Sequence, residues 1–328
     1  KNQLSSSYKK EIIFNLSPAS GYRSRCEFGY KNGSYTMVKN GKKVLLDHFD
    51  LPVSAIQNIM KPLLEAINAN PLINKKLFQI NFRAVNQIVL VTLIYHKQLD
   101  QNWLESARII ETKLDINVLG RSKNQLLATH LTELEQYIDI NPSYYLYQND
   151  KTFYQPNAFL MPKMVKLVIS LIENPRDLLE LYCGSGTFTI PLSYSFKNVF
   201  ATENNRESIS YLKKSIHKNH IKNIFYARLS DIELMDAYKG RIFRRLENID
   251  LKNFNFSHVL VDPPRSGLSH NVTEILNKFE NIIYISCNPD TFKRDLDKLK
   301  DYRIKKLEVF DQFSNTPHLE LIALLIKR

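Results

Sequence analysis

Apolar and polar residues alternate along the first part of the chain in a way that predicts short strands and turns. Residues 22–46 show this alternation, interrupted at the turn dipeptides Asn32-Gly33 and Asn40-Gly41. Asparagine followed by glycine favours the tight turns that join neighbouring strands. We therefore expect strands broken at these turns.

The next segments mix helical and strand periodicities. Residues 54–68 place apolar side chains at helical spacing, with Ser54 as the expected N-cap and Pro62 as an awkward interior residue. KLFQINF and IVLVTLIYH then predict strands, and NWLESARIIETKL predicts an amphipathic helix before a strand at INVLG. The first 150 residues are thus predicted to form an α+β domain.

From residue 151 the pattern becomes a regular alternation of apolar strands with helical segments. The strand-like runs are DLLELY, NVFATE, HVLVDPP and IIYISC. Such alternation is typical of βαβ units and predicts a parallel, doubly wound sheet. The closing segments, KLEVFDQF and LELIALLIKR, predict an antiparallel pair of strands at the edge of that sheet. We expect the boundary in the polar stretch 148–152, which gives domains 1–150 and 151–328.

The composition narrows the class of protein. The 328 residues include 45 Lys and Arg against 33 Asp and Glu, a net charge of +12, and a basic surface favours polyanionic partners such as nucleic acid. The three cysteines, Cys26, Cys183 and Cys287, are too few for a disulfide framework or a four-thiolate cluster. The longest apolar runs are too short to span a membrane. We expect a soluble protein of the reducing cytoplasm.

A glycine turn lies between the first strand of the second domain and the helix after it. The string ELYCGSGTF contains Gly184 and Gly186, whose turn would bring backbone N–H groups near a ligand. Glu203 ends the next strand, where an acidic side chain accepts hydrogen bonds from ribose hydroxyls. Thr189 stands where a dinucleotide-binding motif has its third glycine. The alternative is a tight turn with a surface glutamate.

Two polar residues follow another predicted strand in VDPPRSGL. Asp262 and Arg265 lie where ligands of open α/β sheets bind, beyond the carboxyl ends of the strands. Asp262 would orient a polar group, and Arg265 would meet a phosphate or a base edge. A proline-terminated strand with a turn explains the two prolines of this string, but not the aspartate and the arginine together.

A cysteine and a glutamate are the candidate reactive groups. Cys287 ends a strand in YISCNPDTF, where Asn288 and Pro289 suit an N-cap and a first helical residue. The helix dipole would then favour the thiolate, as a nucleophile requires. Glu320 precedes the last apolar strand, where a charge is costly unless it serves at the start of the strand, and is the candidate base. The alternatives are a buried structural cysteine and a solvated glutamate, and His318 is expected to make an ordinary polar contact.

These strings, in this order and spacing, resemble those of the tRNA (uracil-5-)-methyltransferases, in particular the bacterial TrmA branch of the RNA 5-methyluridine methyltransferases. FYQPN at 153–157 is a further match, and SGYRSRCEF, KLFQINF, LIYHKQLD and LGRSKNQLL resemble the RNA-recognition segment of the family. The resemblance covers most of the chain. It implies a C-terminal class I Rossmann-like S-adenosylmethionine-dependent methyltransferase domain and an N-terminal α+β RNA-recognition domain.

The resemblance also implies roles for individual residues. Cys287 would be the nucleophile and Glu320 the proton acceptor. Thr187 stands at a cofactor position where a relative has asparagine. No metal and no iron–sulfur cluster is implied, and the four N-terminal cysteines that hold such a cluster in related ribosomal-RNA enzymes are missing. The residues implied to bind S-adenosylmethionine are Gln155, Tyr182, Thr187, Glu203 and Asp262.

The implied substrate is the T-loop uridine of tRNA (position fifty-four), which is converted to 5-methyluridine. Bacterial members of the family also modify the matching loop of transfer-messenger RNA. Surface solvation explains the basic residues of the first domain nearly as well as RNA binding does. The candidate RNA contacts are Arg265, Arg23, Arg25 and Lys31.

Three other functions stay open at the level of the sequence. A ribosomal-RNA uridine C5-methyltransferase would perform the same chemistry on another RNA. An RNA-folding module with dispensable catalysis would use chiefly the basic first domain. A nicotinamide oxidoreductase is disfavoured by the missing third glycine. The sequence indicates no obligate protein partner and no membrane partner, and a monomer is the default expectation.

Overall fold

The computed structural model describes residues 8, 10–39, 41–314, 316 and 318–328, so Asn40 of the second predicted turn lies outside it. The strands, in chain order, are β1 (Ile13–Asn15), β2 (Arg25–Lys31), β3 (Ser34–Lys39), β4 (Lys42–Leu45), β5 (Leu77–Val85), β6 (Ile88–Tyr95), β7 (Asn117–Ser122), β8 (Gln125–Ala128), β9 (Glu133–Ile138), β10 (Tyr144–Asn149), β11 (Asp177–Leu181), β12 (Asn198–Thr202), β13 (Ile224–Ala227), β14 (Phe256–Val261), β15 (Asn281–Ser286), β16 (Tyr302–Phe310) and β17 (Glu320–Lys327). The helices are α1 (Ser54–Ala69), α2 (Pro71–Asn74), α3 (Gln101–Leu114), α4 (Met161–Ser170), α5 (Thr189–Leu192), α6 (Arg206–Lys218), α7 (Asp231–Tyr238), α8 (His270–Leu276) and α9 (Pro289–Leu296). In the described part of the chain, no helix is both long enough and apolar enough to cross a membrane.

Eight strands form the larger sheet, in the order β1-β16-β17-β15-β14-β11-β12-β13. The strands from β15 to β13 in this order are parallel, and β17 runs antiparallel between β15 and β16. From β11 the chain moves outward through β12 and β13 and then returns to the other side of β11 as β14. This reversal makes the carboxyl edge between β11 and β14 the switch point, where open α/β sheets bind ligands.

The larger sheet confirms the predicted parallel, doubly wound arrangement, with one correction at its edge. The antiparallel pair β16–β17 is present, but β16 is not the outermost strand, because β1 pairs with it in parallel through Ile13 opposite Glu308. The strand β13 was not among the predicted ones, since its four residues are too few to show a periodicity.

Seven strands form the smaller sheet, in the order β4-β3-β2-β5-β6-β7-β8. Its apolar face packs against α1 and α3, and the indole N–H of the buried Trp103 donates a hydrogen bond to the Tyr95 hydroxyl (2.9 Å). The strands predicted within residues 22–46 are confirmed, as is the turn at Asn32-Gly33. The predicted α+β character of this part of the chain is thus present.

The start of α1 differs from the sequence expectation. Val53 occupies the N-cap position and makes no side-chain capping hydrogen bond, so Ser54 is the first helical residue and not the cap. Pro62 lies inside the helix, as the pattern requires. Packing of the apolar face, which includes Ile56 and Leu63, holds the helix in place despite the missing cap and the interior proline.

Backbone hydrogen bonds join the segment that leads into β2 of the smaller sheet to the segment that precedes α4. The Ser24 N–H donates to the Pro156 carbonyl (2.8 Å), and the Ala158 N–H donates to the Tyr22 carbonyl (3.0 Å). The segment 153–157 is therefore fixed against the chain that leads into β2. The division into 1–150 and 151–328 stays a proposal, and two segments before residue 151 contact the second part: β1 in the larger sheet and the β9–β10 hairpin against α6.

A buried arginine, Arg83, holds the chain just before the segment 153–157 in place. The Arg83 guanidinium donates to the carbonyls of Thr152 (2.8 Å) and Asp150 (3.1 Å), and it lies over the Tyr154 ring, 4.5 Å from the centroid. Burial lowers the pKa of Arg83 below its usual value. A buried cation held by carbonyls and an aromatic face orders the residues that precede Gln155.

Candidate active site at the carboxyl edge of the larger sheet

Three candidate cofactor residues form a row at the carboxyl edge of the larger sheet. β11 pairs in register with β12 on one side and with β14 on the other, and the residue after each strand is Tyr182, Glu203 or Asp262. Tyr182 has a φ of 61°, in the left-handed region that non-glycine residues rarely adopt. Strain of this kind is concentrated at ligand sites, where the surrounding structure holds it in place.

The glycine turn after β11 is tied to the end of β12 by the Glu203 carboxylate. The Gly184 N–H donates to Glu203 Oε2 (3.1 Å), and the Asn205 N–H donates to Oε1 (2.7 Å). A Cβ added at Gly184 would meet no protein atom within 4 Å, so the turn faces open space. A Cβ at Gly186, where φ is 99°, would collide with Leu212 of α6. These contacts give the turn the shape of a ligand cradle.

A cavity of about 120 Å³ lies beside this row, between Tyr182, Glu203 and Asp231. Asp231 begins α7, four residues after the end of β13, and it accepts a hydrogen bond from the Ser269 hydroxyl (2.5 Å). Asp231 was not among the residues predicted from the sequence, because β13, whose carboxyl end brings this aspartate to the edge, has no strand pattern of its own. An acidic side chain after each of two neighbouring strands suits a ligand with several hydroxyl and amino donors.

A buried carboxyl group below the glycine turn fits a cationic ligand. Glu180 of β11 is fully buried, and its Oε2 atom has no hydrogen-bond partner in the described part of the chain. Burial raises the pKa of Glu180 to about 8. This carboxyl is therefore mostly neutral in the free protein at pH 7, and a bound cation such as the ammonium or sulfonium group of S-adenosylmethionine would favour its ionised form. Glu180 is a second residue that the sequence analysis missed. Thr187 lies half-buried in the same turn.

Gln155 belongs to the segment 153–157 and extends to the carboxyl edge of the larger sheet. Its side chain is buried, and its Oε1 accepts a hydrogen bond from Gln312 Nε2 (2.7 Å). Gln312 lies in the connection between β16 and β17, and no pattern in the sequence marks it. The contact joins the FYQPN segment to the connection that leads to Glu320.

Cys287 and Glu320 lie at the same end of the neighbouring strands β15 and β17. Ser286 pairs with Leu321 at the end of the antiparallel β15–β17 ladder, so the next pair in register is Cys287 with Glu320. Asn288 caps α9, accepting a hydrogen bond from the Asp290 N–H (3.0 Å), as predicted. Cys287 is half-buried and Glu320 is buried.

The electrostatics of the pair differ from the sequence expectation. Burial raises the pKa of Cys287 above its usual value, and the nearby Glu320 and Asp262 carboxyls raise it further. The pKa of Cys287 is thus raised, which is opposite to the direction that the helix dipole alone would give. Burial and Asp262 also raise the pKa of Glu320 well above its usual value, whereas the Arg265 charge lowers it. Burial raises the pKa of Asp262 in the same way.

The candidate RNA contacts divide into two groups. Arg23, Arg25 and Arg265 line one cavity of about 360 Å³ between the two sheets. Lys31 ends β2 on the exposed surface and does not line that cavity. His318 is exposed, with its ring edge-on to Phe313 at 6.3 Å between centroids.

Comparison with known proteins agrees with this geometry. The sequence model of the tRNA (uracil-5-)-methyltransferase family matches residues 1–328. The chain belongs to this family. It is 42% identical over 322 residues to the tRNA/tmRNA (uracil-C(5))-methyltransferase of Campylobacter concisus, covering 95% of this chain and 88% of the relative. It is also 42% identical over 330 residues to the enzyme of the same name from Campylobacter lari, covering 98% and 94%.

A solved structure shares the fold. The tRNA (uracil-54, C5)-methyltransferase of Pyrococcus abyssi, in complex with S-adenosyl-L-homocysteine, superposes with a TM-score of 0.77 at 23% identity, covering 99% of this chain and 81% of that one. The resemblance noted in the sequence is thus confirmed, as are the Rossmann-like methyltransferase fold and the dependence on S-adenosylmethionine. The chain is a tRNA (uracil-5-)-methyltransferase, and the nicotinamide alternative is excluded.

Proposed function

We propose that this enzyme methylates the T-loop uridine of tRNA (position fifty-four), and the matching loop of transfer-messenger RNA, through a covalent adduct on Cys287. The names of the Campylobacter relatives, which include tmRNA, and of the Pyrococcus enzyme, which includes uracil-54, support this choice of substrate. We place the reaction in the cytoplasm, where these RNAs are. The observation that carries the proposal is the β15–β17 register, whose last pair, Ser286 with Leu321, brings Cys287 and Glu320 to the same end of these neighbouring strands.

The chemistry needs a nucleophile because C5 of uracil is too weakly nucleophilic to take up a methyl group unaided. The Cys287 thiolate adds to C6, the C5–C6 π electrons move toward C5, and the negative charge is shared with O4 as an enolate. The proton released by the thiol passes to a carboxylate or to water. Asp262, whose pKa burial raises, is a competent acceptor for that proton when ionised, and this leaves the Glu320 carboxylate free for the C5 proton.

S-adenosylmethionine, when bound, supplies the electrophilic methyl group that C5 takes up. After transfer, C5 carries both the methyl group and its original hydrogen. Glu320 accepts that proton, the C5–C6 double bond forms again, and the bond between C6 and the Cys287 sulfur breaks. Arg265 donates to the developing O4 charge in this scheme, and a contact with the RNA phosphate is the competing role for it.

The residues that would hold the cofactor are those gathered at the carboxyl edge. Glu203 would accept the ribose hydroxyl hydrogens, and Gly184 would leave room for the chain of the cofactor. Tyr182, Asp262, Thr187 and Gln155 complete the set. The support for this assignment is their common position at the switch point of the sheet.

The test is methyl transfer from labelled S-adenosylmethionine to an unmodified tRNA transcript, with wild type compared with Cys287→Ala. The matched control is Ser106→Ala, which removes a small buried side chain in α3, away from both cavities. We expect label in 5-methyluridine of the T-loop for wild type and the control, and none for Cys287→Ala, although that variant still binds tRNA. Label in another loop, or in ribosomal RNA alone, would reject the proposed substrate. Full activity of Cys287→Ala would reject the proposed nucleophile.

A further inference from the structure

A second cavity lies beside the catalytic edge, at the junction of the two sheets. It has a volume of about 360 Å³, at the lower end of the range for small-molecule pockets. Its walls combine guanidinium groups with aromatic rings. The lining residues that matter here are Arg23, Arg25, Arg265, Phe49, Phe153 and Phe313.

The charges of this cavity suit an anion. Three guanidinium groups line it against one carboxylate, and that carboxylate, Glu27, is paired with Arg25 (Nε to Oε1, 2.9 Å). The buried Nε of Arg23 has no hydrogen-bond partner in the described part of the chain. A buried guanidinium donor without a partner is costly unless a ligand supplies an acceptor, and a phosphate oxygen does so.

The rings of this cavity suit a nucleobase. Phe153 has 58% of its surface exposed although it lies beside buried Tyr154. Arg83 covers one side of the Tyr154 ring, and the Tyr154 hydroxyl donates to the Ser24 carbonyl (3.2 Å), so this wall is rigid. Aromatic faces stack on any unpaired base, which makes an exposed ring next to a fixed wall a site for one base.

This cavity is separate from the target site but adjoins it. Neither Cys287 nor Glu320 lines it. Its wall residue Arg265 is nevertheless held by the residue after Cys287, since Asn288 Nδ2 donates to the Arg265 carbonyl (3.4 Å). A base in this cavity would not contact Cys287, and the bond between Asn288 and Arg265 places the cavity beside the strand end that carries Cys287.

We propose that this cavity binds one nucleotide next to the target uridine, unstacked from the RNA loop together with the target. Phe153 and Phe313 stack on its base, and Arg23 binds its phosphate. The enzyme would thus exchange the stacking lost when the target leaves the loop for stacking inside the protein. This inference rests on the proposed function, because it assumes that the target uridine lies against Cys287.

The experiment combines protein variants with altered RNA. The RNA is a T-arm hairpin, intact or with an abasic site immediately 5′ or 3′ of the target uridine. The protein variants are Phe153→Leu and, as a matched control on the far edge of the larger sheet, Phe225→Leu, whose ring is 37% exposed. Binding constants for the hairpin and for S-adenosylmethionine are measured with the single-turnover rate at saturating RNA.

We expect Phe153→Leu to weaken binding of the intact hairpin by about 5- to 100-fold, the range for loss of one stacked base. One abasic hairpin should weaken wild-type binding similarly, and Phe153→Leu should add little to that loss. S-adenosylmethionine binding and Phe225→Leu should be unaffected. If the losses of binding caused by Phe153→Leu and by the abasic site multiply for both hairpins, the inference is wrong. It is also wrong if neither abasic site weakens binding to the wild type. If wild type does not methylate the intact hairpin, the proposed function fails instead.

A second measurement isolates the phosphate contact. Arg23→Gln should reduce the dependence of log Kd on log salt concentration by about one unit, because one fewer counterion is released. The matched control is Arg303→Gln, which removes an exposed arginine near the start of β16 that does not line the cavity. Equal reductions for both variants, or none for Arg23→Gln, would contradict the phosphate assignment.

Discussion

Cys287 and Glu320 stand opposite each other because β17 runs antiparallel to β15. The last residue of a parallel strand reaches the carboxyl edge of the sheet, but its first residue lies at the amino edge. Since β17 is inverted, its first residue, Glu320, is delivered to the edge where β15 delivers Cys287. The reversed strand thus brings a proton acceptor to a nucleophile that is 33 residues earlier in the chain.

Replacing Glu320 should separate methyl transfer from release of the RNA. Glu320→Gln keeps the shape of the side chain but removes the proton acceptor, so the methylated adduct on Cys287 should form and then persist. We expect release to slow by about 100-fold or more, the usual contribution of a general base. The measurement is a protein–RNA band on a denaturing gel after incubation with unmodified tRNA and labelled S-adenosylmethionine.

The control for this variant is Glu173→Gln, which removes an exposed carboxylate paired with Lys305. It should give no stable band and normal turnover. Normal turnover of Glu320→Gln would show that another group accepts the C5 proton. A covalent complex without label in the RNA would place Glu320 before methyl transfer instead.

The reactivity of Cys287 should increase with pH through the neutral range. Its pKa lies above the usual value because of burial and of the carboxyls of Glu320 and Asp262, so the thiol is mostly protonated at pH 7. Each pH unit below the pKa lowers the thiolate fraction about tenfold. The rate of alkylation of Cys287 by iodoacetamide, followed by mass spectrometry of the free enzyme, should therefore rise steadily with pH.

The charge of Arg265 should influence the pH at which Cys287 becomes reactive. Its positive charge lowers the pKa of Cys287, so Arg265→Gln should move the alkylation profile to higher pH. Arg176→Gln, which removes an arginine at the amino edge of the larger sheet, should leave the pH profile of alkylation unchanged. An alkylation rate that is already constant from pH 7 upward would mean that the helix dipole dominates after all.

Glu203 should affect the affinity for S-adenosylmethionine more than the chemical step. Its carboxylate orders the glycine turn through the Gly184 N–H and borders the cavity beside Tyr182. Hydrogen bonds to a charged group contribute about 1.5–3 kcal/mol, so Glu203→Ala should weaken cofactor binding by about 10- to 100-fold. Calorimetric titration with S-adenosylhomocysteine measures this, with Glu173→Gln as control. Unchanged affinity would exclude Glu203 from the cofactor site.

The sequence alone was sufficient for the parts of the molecule that depend on local pattern. The parallel strands, the glycine turn and the cap of α9 by Asn288 follow from periodicity and from residue types that have one strong local preference. The reactive residues lie at strand ends, and strand ends can be read from the chain. The family resemblance then assigned roles to them that periodicity alone did not distinguish.

Features that depend on distant segments were not predictable in this way. Asp231 reaches the site because β13 pairs with β12, and Gln312 because its connection folds back on Gln155. The pKa of Cys287 depends on carboxyls that arrive from two other strands, so the local helix-dipole argument gave the wrong direction. Three-dimensional proximity decides each of these, and no short motif records it.

A buried histidine should make the stability of the enzyme depend on pH. His258 of β14 is 1% exposed, shares a hydrogen bond with the Ser257 hydroxyl (Nδ1 to Oγ, 2.9 Å) and packs edge-on against Phe196. Burial, with a smaller effect from Arg176, lowers the pKa of His258 to about 4. The unfolded chain, with an ordinary histidine pKa of about 6.5, then binds the proton more readily than the folded enzyme.

The direction in which stability changes with pH follows from that difference in pKa. The contribution of neutral His258 to stability is complete above about pH 6.5 and is lost as the pH falls toward 4, by at most about 3 kcal/mol. His258→Leu cannot be protonated, so its thermal midpoint should fall less than that of wild type between pH 7 and pH 5. The control, His270→Asn, alters an exposed histidine at the start of α8 and should follow wild type. Equal falls for wild type and His258→Leu would show that carboxyl groups alone cause the acid sensitivity.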